Sequence, residues 1–186
     1  MALGDLTTLA KLKEYLGIKT DTSDPLLERM LTEASQYIQS WLNRNLNLTD
    51  YVELRDGTNG LALSTRQYPI KTVSKLMIDG VEVPHASAVL GAGFRFDEER
   101  IVLNGSRFNR GFQNVEITYS AGYETIPPEI EQAVIDMASN AYKAKDRVGL
   151  QSKSIGGETI TFSNTSGGMS NSVLTILNNY KQVAPQ

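Results

Sequence analysis

The side chains best suited to chemistry are few and lie apart along the chain. Asp97-Glu98-Glu99 is the densest acidic run, and adjacent carboxylates are the raw material of a divalent-metal site or an acid–base pair. It falls between two strand-like stretches and beside Arg95 and Arg100, which is the setting of a solvated turn. The only histidine, His85, follows Pro84 in a loop. No G-x-S-x-G elbow accompanies it, so a nucleophilic triad has no serine to activate. Gly91-x-Gly93 lacks the third glycine and the following helix of a dinucleotide-binding turn, and no GxxxxGK[ST] phosphate loop occurs. One histidine and no cysteine exclude HExxH and multi-histidine sites, thiolate zinc, iron–sulfur ligation, disulfides and a cysteine nucleophile. The expectation is a chain with no catalytic residues, no metal ligands and no cofactor.

Two basic groups remain. Arg107 and Arg110 alternate with Phe108 and Phe112 in a glycine-containing loop. Lys143, Lys145, Arg147 and Lys153 follow the third long helix. Each group reads either as ordinary charged surface or as a contact for an acidic partner or for DNA phosphates. With a formal net charge of −3 over 186 residues the chain is no bulk polycation, and no helix-turn-helix or zinc motif supports sequence-specific recognition. The N-terminal stretch has no basic segment followed by an apolar one, as a signal peptide would. Nor does any run approach the roughly 18–20 apolar residues that span a bilayer. The expectation is a soluble protein made in a cytoplasm, with the N-x-[ST] matches at Asn47, Asn104 and Asn164 arising by chance.

The elements that position these residues fall into three textures. From Thr8 to Leu16 the leucines 9, 12 and 16 share a helical face, with Thr7 or Thr8 as cap and Gly17 as stop. A longer helix follows, with Asp24 as N-cap, Pro25 in the first turn, and an apolar stripe running from Leu27 through Leu31, Ala34 and Ile38 to Leu42. Residues 50–121 alternate like strands. Asp56-Gly57-Thr58-Asn59 predicts a hairpin turn between Tyr51–Arg55 and Gly60–Ser64, and Asp79-Gly80 a second one between Lys71–Ile78 and Val81–Val83. Pro127-Pro128 opens a third helix with Ile130, Ala133, Val134, Met137, Ala138 and Ala141 on one face. After Gly149 the composition turns to glycine and serine, with a strand expected at Glu158–Phe162. A short helix capped by Asn171 or Ser172 then carries Val173, Ile176, Leu177 and Tyr180 on one side, a stripe to be buried on the chain's own body or on a partner. The fold class expected is α+β: mainly a helical bundle with a β-rich antiparallel insertion and an extended C-terminal tail ending in a short helix. The corresponding partition is 1–49, N-terminal bundle helices; 50–121, β-rich insertion; 122–148, third long helix; 149–186, C-terminal arm.

As a whole the pattern resembles the head–tail connector (head-completion adaptor) proteins of tailed bacteriophages. The resemblance is carried by LTTLAKLKEYLGI, DPLLERMLTEASQYIQSWLNR, YPIKTVSKLMIDGVEV and NVEITYSAGYETIPPEIEQAVIDMASNAYKAKDRVGLQSKSIGGETITF, in that order over nearly the whole chain. It implies a structural virion protein at the head–tail interface, assembled in the host cytoplasm. Copies would form a ring, usually of twelve, beneath the portal protein. Such a ring extends the channel for double-stranded DNA, which passes without sequence-specific binding, and docks the next tail or stopper protein. The resemblance also implies that the arm from about Gly149, with Val173, Ile176, Leu177 and Tyr180, reaches the portal. Subunit or channel contacts would fall to Arg107, Arg110, Lys143, Lys145, Arg147 and Lys153. Ring contacts join unlike faces of neighbouring copies, for which the arginine loop and the acidic turn are complementary. The alternatives are a tail-completion or terminator ring on the tail tube, and a small hydrolase or carbohydrate-binding β domain built on His85, Asp97 and Glu99.

Overall fold

The structure is a computed structural model and describes residues 4–88, 91–145, 152–155, 158–161 and 169–181. In chain order the elements begin with α1 (Leu9–Leu16), α2 (Asp24–Leu42), β1 (Thr49–Gly57), β2 (Ala62–Ser64), β3 (Ile70–Ile78) and β4 (Val81–Glu82). They continue with β5 (Gly93–Phe96), β6 (Arg100–Asn104), β7 (Gly111–Ala121), α3 (Pro128–Ala144), β8 (Ser152–Ile155), β9 (Glu158–Thr161) and α4 (Asn171–Asn179). These form two compact units, one of Met1–Asn43 with Ile126–Gln186 and the other of Arg44–Thr125.

In the helical unit, the caps explain where the helices start and stop. The Thr8 hydroxyl accepts from the Lys11 amide, and Gly17 closes α1 in the left-handed region at φ 70°. The start of α2 departs from the sequence expectation. Asp24 is the first helical residue rather than the cap, and the cap residue Ser23 makes no side-chain capping bond. The Asp24 carboxylate is engaged elsewhere, 2.7 Å from Lys13 Nζ, which also holds Asp21 at 2.7 Å. Leu27, Leu31, Ala34, Ile38 and Leu42 are buried along α2. Opposite them α3 buries Ile130, Ala133, Val134, Ile135 and Ala138, while Ala141 of the expected face is exposed. The small side chains Ala133, Ala138 and Ser139 let the helices approach closely. Between α1 and α3, Glu131 accepts from Thr7 Oγ1 at 2.8 Å and from Lys11 Nζ at 2.7 Å. Burial raises the Glu131 carboxyl, but these two donors outweigh it and hold it below the ordinary value. The cap of α4 is Ser170, not Asn171 or Ser172, and its hydroxyl accepts from the Val173 amide.

The β unit is a two-sheet sandwich. Its four-stranded sheet has the order β1-β7-β3-β4 and its three-stranded sheet β2-β6-β5, all neighbours antiparallel. A separate two-stranded sheet pairs β8 with β9. Leu76, Ile101, Leu103, Phe108, Val115, Ile117 and Tyr119 fill the space between the two larger sheets. Asp79 and Gly80 adopt positive φ values of 53° and 78°, as a type I′ turn demands, and β3 and β4 pair across them.

Two expectations are overturned here. The Asp56–Asn59 segment is no hairpin turn: β1 pairs with β7 and β2 with β6, so the chain crosses between sheets. β1 stays on β7 from Thr49↔Ala121 to Gly57↔Gly111, whereas β2 pairs with β6 from Ala62↔Val102 to Ser64↔Arg100 and carries Leu63 into the core. Nor is the fold mainly a helical bundle with an inserted β stretch. Among the described residues it comprises four helices and a mostly antiparallel β core. The reason is strand length: β1 and β3 run 9 residues and β7 runs 11, longer than the segments their sequence suggested. Ladders of that length bury enough apolar surface for a core of their own.

Gly122 is one of the glycines that the backbone of the β unit requires. Its φ is 115°, and a Cβ there would collide with the Asn47 carbonyl. Gly17 also has positive φ but faces open space. Gly122→Ala is therefore expected to lower stability by about 1–3 kcal/mol from backbone conformation alone, with the collision added. Gly17→Ala is expected to cost about 1 kcal/mol. Urea unfolding of the two variants checks the order; equal losses would contradict it.

Candidate functional site

The β unit buries a carboxylate, Glu53, 8 % exposed on the edge strand β1. Its Oε2 accepts from Tyr119 Oη of β7 at 2.6 Å and from the Arg66 amide at 3.2 Å. Its Oε1 accepts from Arg55 Nη1 at 3.2 Å, and Arg66 Nε lies 3.6 Å away. The Gln67 amide donates to Tyr119 Oη at 3.3 Å, and Thr65 Oγ1 donates to the Gln67 carbonyl at 2.8 Å. Arg44 Nη1 donates to the Tyr68 carbonyl at 2.6 Å, and its guanidinium lies 3.8 Å from the centre of the Tyr68 ring. The segment 65–68 between the two sheets is thereby fixed on both sides. Burial first, then the hydrogen bond to the Glu53 carboxylate, pushes the Tyr119 phenol well above its ordinary value. A hydrogen-bonded network of this kind holds a connection in place.

The surfaces lie at the two ends of the sandwich. At one end, the Asp79 carboxylate accepts from Asn109 Nδ2 and Asn114 Nδ2, both at 2.9 Å. These two amides hold its carboxyl below the ordinary range. The Asn59 amide donates to the Phe108 carbonyl at 2.7 Å, the Phe108 amide to the Gly60 carbonyl at 3.0 Å, and the Phe108 ring is fully buried. The 105–113 loop is thus clamped to the β1–β2 crossing and the β3–β4 turn. On this platform Arg107 and Arg110 are exposed and the Phe112 ring is 82 % exposed.

At the other end the 97–99 turn is held by its own backbone. Asp97 Oδ1 accepts from the amides of Glu99 and Arg100, and Oδ2 from Arg100 Nε at 2.9 Å. Burial raises the Asp97 carboxyl, but these donors bring it below the ordinary value. Asp97 is thus committed to the turn, whereas Glu98 and Glu99 project into solvent. His85 is exposed and packs edge-on to Phe94, ring centres 5.1 Å apart. Among the described residues no group of three or more His, Asp or Glu side chains is placed to hold a metal ion, and no helix is long and apolar enough to cross a membrane.

In the helical unit Val173 and Leu177 of α4 are buried, together with Met169, while Ile176 and Tyr180 are half-buried. Tyr180 Oη donates to Glu129 Oε2 of α3 at 3.0 Å, and Lys181 Nζ lies 5.0 Å from the Trp41 ring centre. The terminal stripe is therefore seated on the chain's own helices. Lys143 Nζ lies 5.8 Å from the ring centre of Tyr15, and Lys145 Nζ 4.0 Å from that of Tyr142. Arg147 lies outside the described residues, as does the side chain of Lys153, whose backbone belongs to β8.

Sequence reasoning missed the Glu53–Tyr119 pair and the full exposure of Phe112. The signal for the pair was the polar content of the inward-facing row Tyr51, Glu53, Arg55.

The described residues thus form two compact units, and the sandwich presents charge and an exposed aromatic ring at its ends. The family model described as head completion protein matches residues 5–183, and the chain belongs to that family. It is 24% identical over 174 residues to the head completion protein of Escherichia phage T5, covering 91% of this chain and 94% of that one. Among solved structures it is similar to a chain from the neck of an empty gene transfer agent (GTA) particle, with a TM-score of 0.64 at 20% identity over 100% of this chain and 95% of that one. A chain from the neck of a native GTA particle gives a TM-score of 0.62 at 19% identity, over 100% of this chain and 94% of that one. The role that this family's description names is completion of the head.

The Tyr119–Glu53 bond yields a pH-dependent prediction. Because the folded phenol titrates above its ordinary value, the stability it contributes is complete below about pH 10 and lost as pH rises through the folded value. Tyr119→Phe is expected to cost about 1.5–3 kcal/mol at pH 8, as for a hydrogen bond to a charged group. The gap from the native chain should narrow above about pH 10. Urea titrations at both pH values measure it, and a gap independent of pH would contradict the assignment.

Proposed function

We propose that this chain is a non-enzymatic ring subunit of the phage neck. About twelve copies close beneath the portal protein, extend the channel for double-stranded DNA and present a docking surface to the next tail or stopper protein. The observation that carries this reading is the family match over residues 5–183, which includes residues of both compact units. The likeness to neck chains from particles reconstructed with C6 and C12 symmetry supports a repeated arrangement about the neck axis. A ring through which DNA slides needs neither base readout nor a strong phosphate grip, in keeping with a net charge of −3.

In this reading the C-terminal arm makes the portal contact. Val173 and Leu177 are buried within the helical unit, so their use on the portal requires α4 to leave α3, whereas Ile176 and Tyr180 are partly accessible where they stand. Arg107, Arg110, Lys143, Lys145, Arg147 and Lys153 serve contacts between subunits or with the channel.

Removing the chain from phage-producing cells and imaging the products tests the role. The expected products are DNA-filled heads and separate tails that fail to join, with tailed particles restored when the chain is resupplied. Heads carrying normal tails in the absence of the chain would overturn the proposal. Finished heads beside tail tubes of uncontrolled length would point instead to a terminator ring.

A further inference from the structure

The two ends of the β sandwich are complementary to each other, and no single copy can bring them together. The Ile70 amide donates to the Glu98 carbonyl at 2.8 Å, and Ile70 pairs with Ala121, the last residue of β7. The 96–99 turn therefore sits at the finish of that strand. The loop with Arg110 and Phe112 sits at its start, since β7 opens at Gly111. Eleven strand residues separate the two ends, a distance of about 33 Å.

Each end is rigid before any partner arrives. The loop is clamped by Asp79, Asn109 and Asn114. The turn is held by Asp97 and by backbone bonds from Thr65 and Ile70 to the Glu99 and Glu98 carbonyls. Prior rigidity removes the ordering cost of association. An aromatic ring held 82 % exposed on a fixed platform has the character of an interface anchor. The turn offers it a seat: Phe96 is partly exposed directly before Asp97, and Glu98 and Glu99 carry the charge that matches Arg107 and Arg110.

We propose that in the ring the 105–113 loop of each copy docks on the 96–99 turn of the next. Arg107 and Arg110 face Glu98 and Glu99, and Phe112 packs against Phe96. This rests on the ring reading above and supplies its contact between β units. Such a contact uses unlike faces of a single chain, so it repeats head to tail and closes where the rotation allows.

The absence of cysteine from the chain makes the test direct. Particles are produced with Glu99→Cys and Arg110→Cys in one chain, oxidised gently, and run on a non-reducing gel. A disulfide needs Cα atoms within about 7 Å, so the pair cannot close inside one copy. The expected result is a ladder of covalent oligomers that collapses on reduction and is missing from either single variant. A chain that enters the neck but stays monomeric on the gel overturns the docking while leaving the ring intact. Absence of even the native chain from the neck is the different result that defeats the ring reading. Should the double-cysteine chain fail to enter the particle, charge exchange decides. Arg110→Glu and Glu99→Arg should each reduce tailed-particle yield more than about tenfold, and together they should restore it. Failure of the combination to restore yield overturns the proposal.

Discussion

The hydrogen bond from Tyr119 to Glu53 is the interaction on which the β unit rests. A carboxylate inside a sandwich is costly unless donors surround it, and Glu53 sits on β1, an edge strand with no neighbour beyond it in its sheet. Tyr119 supplies one donor from β7, while Arg55, Arg66 and the Arg66 amide supply the rest. The same phenol receives the Gln67 amide, so one side chain joins two strands of the first sheet to the segment leaving the second. An inward-pointing charge also discourages an edge strand from recruiting foreign strands. That suits a chain whose outward β1 positions, Val52 and Leu54, are apolar and exposed. The network thus fixes the sandwich and protects its edge at once.

With the sandwich fixed, its ends become usable surfaces. The Asp79 clamp performs for the 105–113 loop what Glu53 performs for the 65–68 segment: a carboxylate accepting from several donors turns a loop into a rigid body. The helical unit is organised differently. Its specificity comes from caps and from cross-helix ion pairs, Lys11 with Glu131 and Lys13 with Asp24, laid over a conventional apolar stripe. There α4 adds a short helix whose Val173 and Leu177 complete that core, which makes the terminal stripe a part of the unit's stability as well as a candidate contact.

Local chemistry was legible where the decision was local. Thr8 and Gly17 bracket α1, Pro128 opens α3, and Asp79-Gly80 turns β3 into β4, because each uses a backbone geometry that only its own residue type favours. The resemblance to head–tail connectors was legible because ordered segments extend along nearly the whole chain. What escaped were choices made by distant residues. Asp56–Asn59 has the composition of a hairpin turn, yet the strands on its two sides take different partners, β1 pairing with β7 and β2 with β6, where Leu63 enters the core. Asp24 has the chemistry of a cap, yet Lys13, eleven residues earlier, takes its carboxylate. In Tyr51–Arg55 both faces carry apolar groups, so alternation alone cannot say that Glu53 turns inward. Strand length was underread for the same reason, and with it the weight of the β core against the helices. Of the surfaces, the arginine loop and the acidic turn were visible as charge. Their rigidity and their places at opposite ends of β7 came only with the fold.

The central claim is that this chain is a repeating structural element at the head–tail junction. The most direct measurement is an electron cryomicroscopy reconstruction of the neck from intact particles, refined without imposed symmetry, into which the two compact units are fitted as separate bodies. The account predicts a closed ring of about twelve copies between portal and tail, with both units accounted for in every copy. Density for the chain at the far end of the tail tube, or a neck complete without it, would contradict the account.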